Sequence, residues 1–220
     1  MIASNLAQAR HNMVEQQIRP WEVFDRRVLE LLREIPREAF VPENYRGLAY
    51  AETAIPLSHG GRMMTPTVEA RLLQALQLSP SDDILEIGTG SGFLTACLAR
   101  LGHRVISIDI HSENTEQARQ RLEQLGIDNV TLLSGHGLGD LPTEGHFDAI
   151  AITGSLPALP EELIHRLSVG GRLFVVTGKR PAMTAQLVTR VGDEQWRTET
   201  LFETDLPPLA QRAAEHPFKF

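Results

Sequence analysis

The 220 residues suffice for one substantial domain, and an apolar share of 42% beside a charged share of 22% excludes the low-hydrophobicity composition of a disordered chain. A net charge of −7, with no long Lys/Arg cluster, excludes the broad basic field of a nucleic-acid binder. The single cysteine, Cys97, excludes an intrachain disulfide and a cysteine-based zinc site, so no metal is expected.

The start of the chain lacks the apolar core of a signal peptide, and no apolar run approaches the roughly 20 residues that span a bilayer. A cytoplasmic protein without membrane contact is the expectation, as a monomer or weak dimer. Between residues 4 and 35, Leu6, Met13, Val14, Ile18, Val28, Leu29, Leu31 and Leu32 fall at spacings that predict two amphipathic helices broken at Arg19-Pro20. From Pro36 to Pro66 the prolines and glycines are too dense for regular structure, which predicts a long irregular segment bearing short pieces, of a kind that is often functional. Residues 1–66 thus read as a helical cap with its irregular extension, 67–205 as the cofactor-binding core and 206–220 as a tail, all within one domain.

Alternation begins beyond Pro66. Helices are predicted over Thr67–Leu78, Phe93–Leu101, Ser112–Leu125 and Pro160–Leu167, and strands over Ile84–Ile87, Val105–Ile108, Val130–Leu133, Ala149–Ile152 and Arg172–Val176. Strands that are nearly all apolar, separated by helices, belong to a parallel sheet covered on both faces. Leu187–Glu203, with Gly192-Asp193 at a turn, predicts an antiparallel hairpin at the sheet edge. The fold class is α/β and Rossmann-like, with a mostly parallel seven-stranded sheet.

Between the first strand and its helix stands Glu86-Ile87-Gly88-Thr89-Gly90-Ser91-Gly92, and Asp109 ends the second strand. Glycines here let a ligand approach the backbone, and a carboxylate about 20 residues on suits ribose hydroxyls. The third glycine comes one place too early for a dinucleotide fingerprint. Glu86 would repel a pyrophosphate but stabilise an ammonium or sulfonium, which points to S-adenosyl-L-methionine. Ser134-Gly135-His136-Gly137 and Thr153-Gly154-Ser155 follow later strands and point to the same sheet edge. The candidate cofactor residues are Glu86, Gly88, Thr89, Gly90, Ser91, Gly92, Asp109, Ile110, His136, Gly137 and Thr153. His59, beside Gly60, reads as a loop residue rather than a base, because a catalytic histidine needs a partner.

Pro36-Arg37-Glu38-Ala39-Phe40-Val41-Pro42-Glu43, the glycine run, Phe147-Asp148-Ala149-Ile150 and Gly170-Gly171-Arg172-Leu173 together resemble the protein-L-isoaspartate O-methyltransferases, from about Met13 to Gly178. The resemblance implies a class I methyltransferase fold and methylation of isoaspartyl carboxylates in a protein or peptide partner. It also implies that Glu86, Gly88 and Gly90 border the methionine part of the cofactor, that Asp109 holds the ribose and that His136-Gly137 lies at the adenine. Three departures stand out. Met64 occupies the position of the family's reacting-centre serine, which leaves Thr65, one place on, as the candidate hydroxyl. His136 replaces the aspartate of the adenine loop, and a neutral imidazole still accepts one hydrogen bond. The family's C-terminal groove segment is not recognisable in Phe202–Pro208.

A carboxylate acceptor is already ionised at neutral pH, so no general base is required. Three readings stay open: isoaspartyl methylation, methylation of another acceptor, and a cofactor-binding pseudoenzyme acting through protein contacts.

Overall fold

The computed structural model of the chain describes residues 2–138 and 145–210. Helix α1 (Ile2–Asn12) runs on as a wider turn through Ile18 and ends in a 3-10 turn at Arg19–Trp21, where Pro20 removes a backbone donor. Asp25 then caps α2 (Arg26–Glu34) by accepting from the Arg27 and Val28 amides, and Val28, Leu29, Leu31 and Leu32 form its buried stripe. Residues 36–65 contain only short 3-10 turns and a narrow loop, in which Leu57 N donates to Gly61 O and Met63 N to Ile55 O. Helix α3 (Pro66–Leu76) opens on a proline whose missing N–H costs nothing at a first turn.

Seven strands follow: β1 (Asp83–Ile87), β2 (Arg104–Asp109), β3 (Val130–Ser134), β4 (Phe147–Leu156), β5 (Leu167–Lys179), β6 (Ala182–Gly192) and β7 (Gln195–Thr204). Their order is β3-β2-β1-β4-β5-β6-β7, parallel through β5 and antiparallel for β6 and β7. Between them lie α4 (Phe93–Leu101), α5 (Ser112–Gln124) and the short α6 (Glu161–Ile164). The chain moves outward from β1 to β3 and returns to β4 beside β1, so the strand order reverses at β1/β4. Ligands of open α/β sheets bind beyond the strand ends at such a reversal.

Strand alternation separates two cores. Ile84, Ala149, Ala151, Phe174 and Val176 face α3, α4 and the N-terminal helices, whereas Leu85, Ile87, Ile150, Ile152, Leu173 and Val175 face α6 and Trp196. Glu86 has the parity of Ile84, so the strand drives its carboxyl under α4.

Two expectations are corrected. The helix over Pro160–Leu167 stops at Ile164, because Leu167 already pairs with Phe147 on β4. Thr153-Gly154-Ser155 is no loop after the fourth strand; it lies within β4, where the register with β5 shifts between Ala151 and Ser155. The described part of the tail, residues 206–210, is bonded to β4. Ser155 N donates to Pro207 O, Leu209 N to Ser155 O and Ser155 Oγ to Leu206 O, which straps this segment across the end of β4.

Candidate active site

The turn from β1 to α4 is built on glycines that serve different ends. Gly88 has φ +98, and a Cβ there would lie 2.1 Å from Thr153 Oγ1, which donates to the Gly88 carbonyl. Gly92, φ +83, would place a Cβ 2.8 Å from the Cβ of Ala118. This lets α5 pack against the head of α4, and Gly92 lines neither pocket described below. Gly90 N donates to Asp109 Oδ2 at 2.8 Å, while Asp109 Oδ1 accepts from His111 N and Asn114 Nδ2. Asp109 thus ties β2 to the glycine turn while lining the cleft beside it.

That cleft, about 160 Å³, sits at the β1/β4 reversal. Gly88 and Gly90 form its floor; Asp109, Ile110 and His111 one side; His136, Gly137 and Leu138 the next; Thr153, Gly154 and the strap Pro207–Ala210 the far wall. Leu57–Arg62 forms the roof, where His59, held at φ +58, stacks on His111 with ring centroids 4.1 Å apart. His59 Nε2 stands 3.7 Å from Glu113 Oε2. Its place is that of a roof contact.

A second, inner pocket of about 50 Å³ shares Leu57, Arg62, Gly88, Gly90 and Thr153 with the cleft and extends toward α3 and α4. Met63, Met64, Glu69, Glu86, Thr89, Ser91 and Leu94 line the rest. Glu86 is fully buried; Oε2 accepts from Thr95 Oγ1 at 2.5 Å and Ser107 Oγ at 2.6 Å, and Thr89 Oγ1 meets Ser107 Oγ. Oε1 has no partner among the described residues. Burial pushes the Glu86 carboxyl up to about 8, against the opposing pull of the two hydroxyls.

Glu69 is also buried and pushed up to about 8 by burial, although the Arg37 guanidinium, 3.2 Å away, opposes the shift. Arg37 donates to Met64 O at 2.7 Å and lies 5.0 Å over the Phe93 ring, so the P-R-E string buries a cation that fixes the backbone at Met64. Met64 is buried in the inner wall. Thr65 lines neither pocket; its carbonyl accepts from Glu69 N at the start of α3.

A family model described as protein-L-isoaspartate(D-aspartate) O-methyltransferase matches residues 8–214. The chain belongs to this family. It is 39% identical over 201 residues to protein-L-isoaspartate O-methyltransferase 2 of Pelobacter propionicus, covering 91% of this chain and 89% of that one. With the enzyme of Methanoculleus marisnigri it shares 36% over 202 residues, covering 91% and 90%. Among solved structures, a Plasmodium falciparum chain in complex with S-adenosyl-L-homocysteine superposes with a TM-score of 0.76 at 21% identity, covering 93% of this chain and 98% of that one. Another, a protein-L-isoaspartate O-methyltransferase, gives 0.79 at 24% identity and covers 91% and 66%. Both show the shared fold.

Seen within this isoaspartyl methyltransferase family, the structure adds residues that the sequence alone did not single out: Leu57, Arg62, Glu69, His111, and the strap residues Pro207–Ala210 that wall the cleft. A charged residue inside the apolar stripe of α3 was the available signal for Glu69.

Proposed function

We propose that the protein is an S-adenosyl-L-methionine-dependent methyltransferase that esterifies the α-carboxylate of isoaspartyl residues in proteins or peptides. The observation that carries this reading is the buried, unpartnered Glu86 Oε1 beside a left-handed glycine turn at the strand-order reversal. A buried carboxyl oxygen without a protein partner leaves room for a ligand group, and a cationic one would both fill it and favour the ionised carboxylate. The cofactor suits this donor set: Glu86 would take its ammonium, Asp109 its ribose hydroxyls, and Ile110, His136 and Gly137 its base. When bound it supplies a methyl group on a cationic sulfur.

The chain's own residues bind, orient and exclude water. Leu57 and the strap Pro207–Leu209 wall the cleft with apolar surface, and Arg37 fixes the Met64 backbone on the acceptor side. No side chain has to remove a proton from an ionised acceptor. A cytoplasmic enzyme acting on damaged proteins fits this chemistry, and among the described residues no helix is long and apolar enough to cross a membrane.

One observation favours a second reading, transfer to a different acceptor: Met64 presents a thioether, which donates no hydrogen bond, where the family has a serine. Tritiated methyl transfer to an isoaspartyl peptide, with its aspartyl isomer and a panel of small acids alongside, tests both. Transfer confined to the isoaspartyl peptide is the expected result; transfer only to another acceptor establishes the second reading.

A further inference from the structure

Arg62 is the one arginine or lysine among the described residues lining the cleft and the inner pocket, and it lines both. Its side chain is exposed and has no hydrogen bond, ion pair or ring contact among the described residues. Its backbone, by contrast, is held on both sides. Pro56 and Arg62 form an antiparallel bridge, Met63 N donates to Ile55 O at 2.9 Å, and Arg37 grips Met64 O. The fixed backbone keeps this uncommitted cation at the mouth of both pockets, within reach of a ligand there.

The acids nearby do not answer its charge. Asp109 spends both oxygens on Gly90 N, His111 N and Asn114 Nδ2. Glu69 is paired with Arg37, and burial favours the neutral forms of Glu69 and Glu86. The junction of the two pockets therefore offers an anion one planar, five-donor group whose fork matches a carboxylate.

We propose that Arg62 is a carboxylate-binding residue at this junction. The inference rests on the function proposed above, whose two participants each carry a free carboxylate: the amino-acid end of the cofactor and the isoaspartyl acceptor. Arg62 supplies a positively charged donor two residues before the position at which Met64 has none.

The test uses the full chain, its Arg62→Gln and Arg62→Lys variants, and calorimetry with two probe pairs. The first pair is S-adenosylhomocysteine and its decarboxylated analogue, which keeps the ammonium. The second, added with S-adenosylhomocysteine present, is an isoaspartyl peptide and the same peptide with its isoaspartyl α-carboxyl amidated. Arg62→Gln is expected to lose about tenfold or more in affinity for the carboxylate member of one pair while binding the other member as before, and Arg62→Lys to retain part of it. The pair that responds names the source of the carboxylate. Unchanged preferences in both pairs, or equal losses within each pair, overturn the proposal. Methyl transfer to the isoaspartyl peptide is measured separately in the wild type, so a failure of the assigned activity is distinguished from a failure of Arg62.

Discussion

At the scale of single residues, the buried carboxyls govern how the ligand-free protein responds to pH. Glu86 is held at about 8 by burial, against an ordinary value of 4.5. Between these values the folded chain keeps a proton that the unfolded chain has released. The stabilisation is full below about pH 4.5 and is lost as pH rises through about 8, with a slope on the order of 1.4 kcal/mol per pH unit for one such group. Denaturant melts at pH 5.5, 6.5 and 7.5 are therefore expected to show falling stability, with Glu86→Gln flattening the slope by about one proton; an unchanged slope would place the titration elsewhere. Met64 carries the second prediction. It lines the inner pocket and Thr65 does not, so Met64→Ser should raise turnover on an isoaspartyl peptide by roughly tenfold or more, the scale of one positioned donor. Thr65→Val should leave turnover within about twofold. Abolished turnover in Thr65→Val would mean that its hydroxyl rotates into the site. Glu86 was readable as a site candidate because it adjoins the glycine turn, and Asp109 because it ends the next strand at the spacing that a ribose contact wants. Arg62 and His111 were not, since their convergence on one cleft depends on where the irregular segment folds back over β2.

At the scale of elements, Gly92 shows how one motif serves two purposes. In sequence it belongs to the glycine run and reads as ligand-facing; in the fold it is where α5 crosses the head of α4, with Ala118 against it. Gly92→Ala adds a Cβ 2.8 Å from Ala118 Cβ at φ +83, so α5 must shift and the backbone is strained. The expected cost is about 1–3 kcal/mol of stability, with S-adenosylhomocysteine affinity in the folded fraction changed little. A loss of affinity without a loss of stability would return Gly92 to the ligand. Strands and long helices were legible because hydrophobic periodicity is a local signal. The short α6 and the strap were not: Leu167 fits a helical period but is taken by strand pairing with Phe147, and Leu206–Ala210 has two prolines and no period. The strap's position comes from backbone bonds to Ser155, some 50 residues away, which no local pattern records.

At the scale of the whole molecule, the site joins segments that are far apart in the chain. The Leu57–Arg62 roof, the glycine turn, the end of β2, His136–Leu138, β4 and the strap all line one cleft. Sheet order explains why: the reversal at β1/β4 leaves a gap above the strand ends, and the irregular segment and the tail close over it. A ligand in this cleft contacts both ends of the fold, so it stabilises the protein against global unfolding rather than against one local opening. For a ligand that binds only the folded state, a concentration 100-fold above the dissociation constant contributes about 2.7 kcal/mol. In a domain of this size each kcal/mol shifts the melting temperature by about 2–4 °C, so S-adenosylhomocysteine at that excess should raise it by about 5–11 °C in a single transition. NADH should give no shift, because Phe93 stands where a dinucleotide motif needs its last glycine. A shift with NADH and none with S-adenosylhomocysteine would overturn the cofactor assignment. A shift confined to one of two resolved transitions would mean instead that the roof and strap fold independently of the sheet.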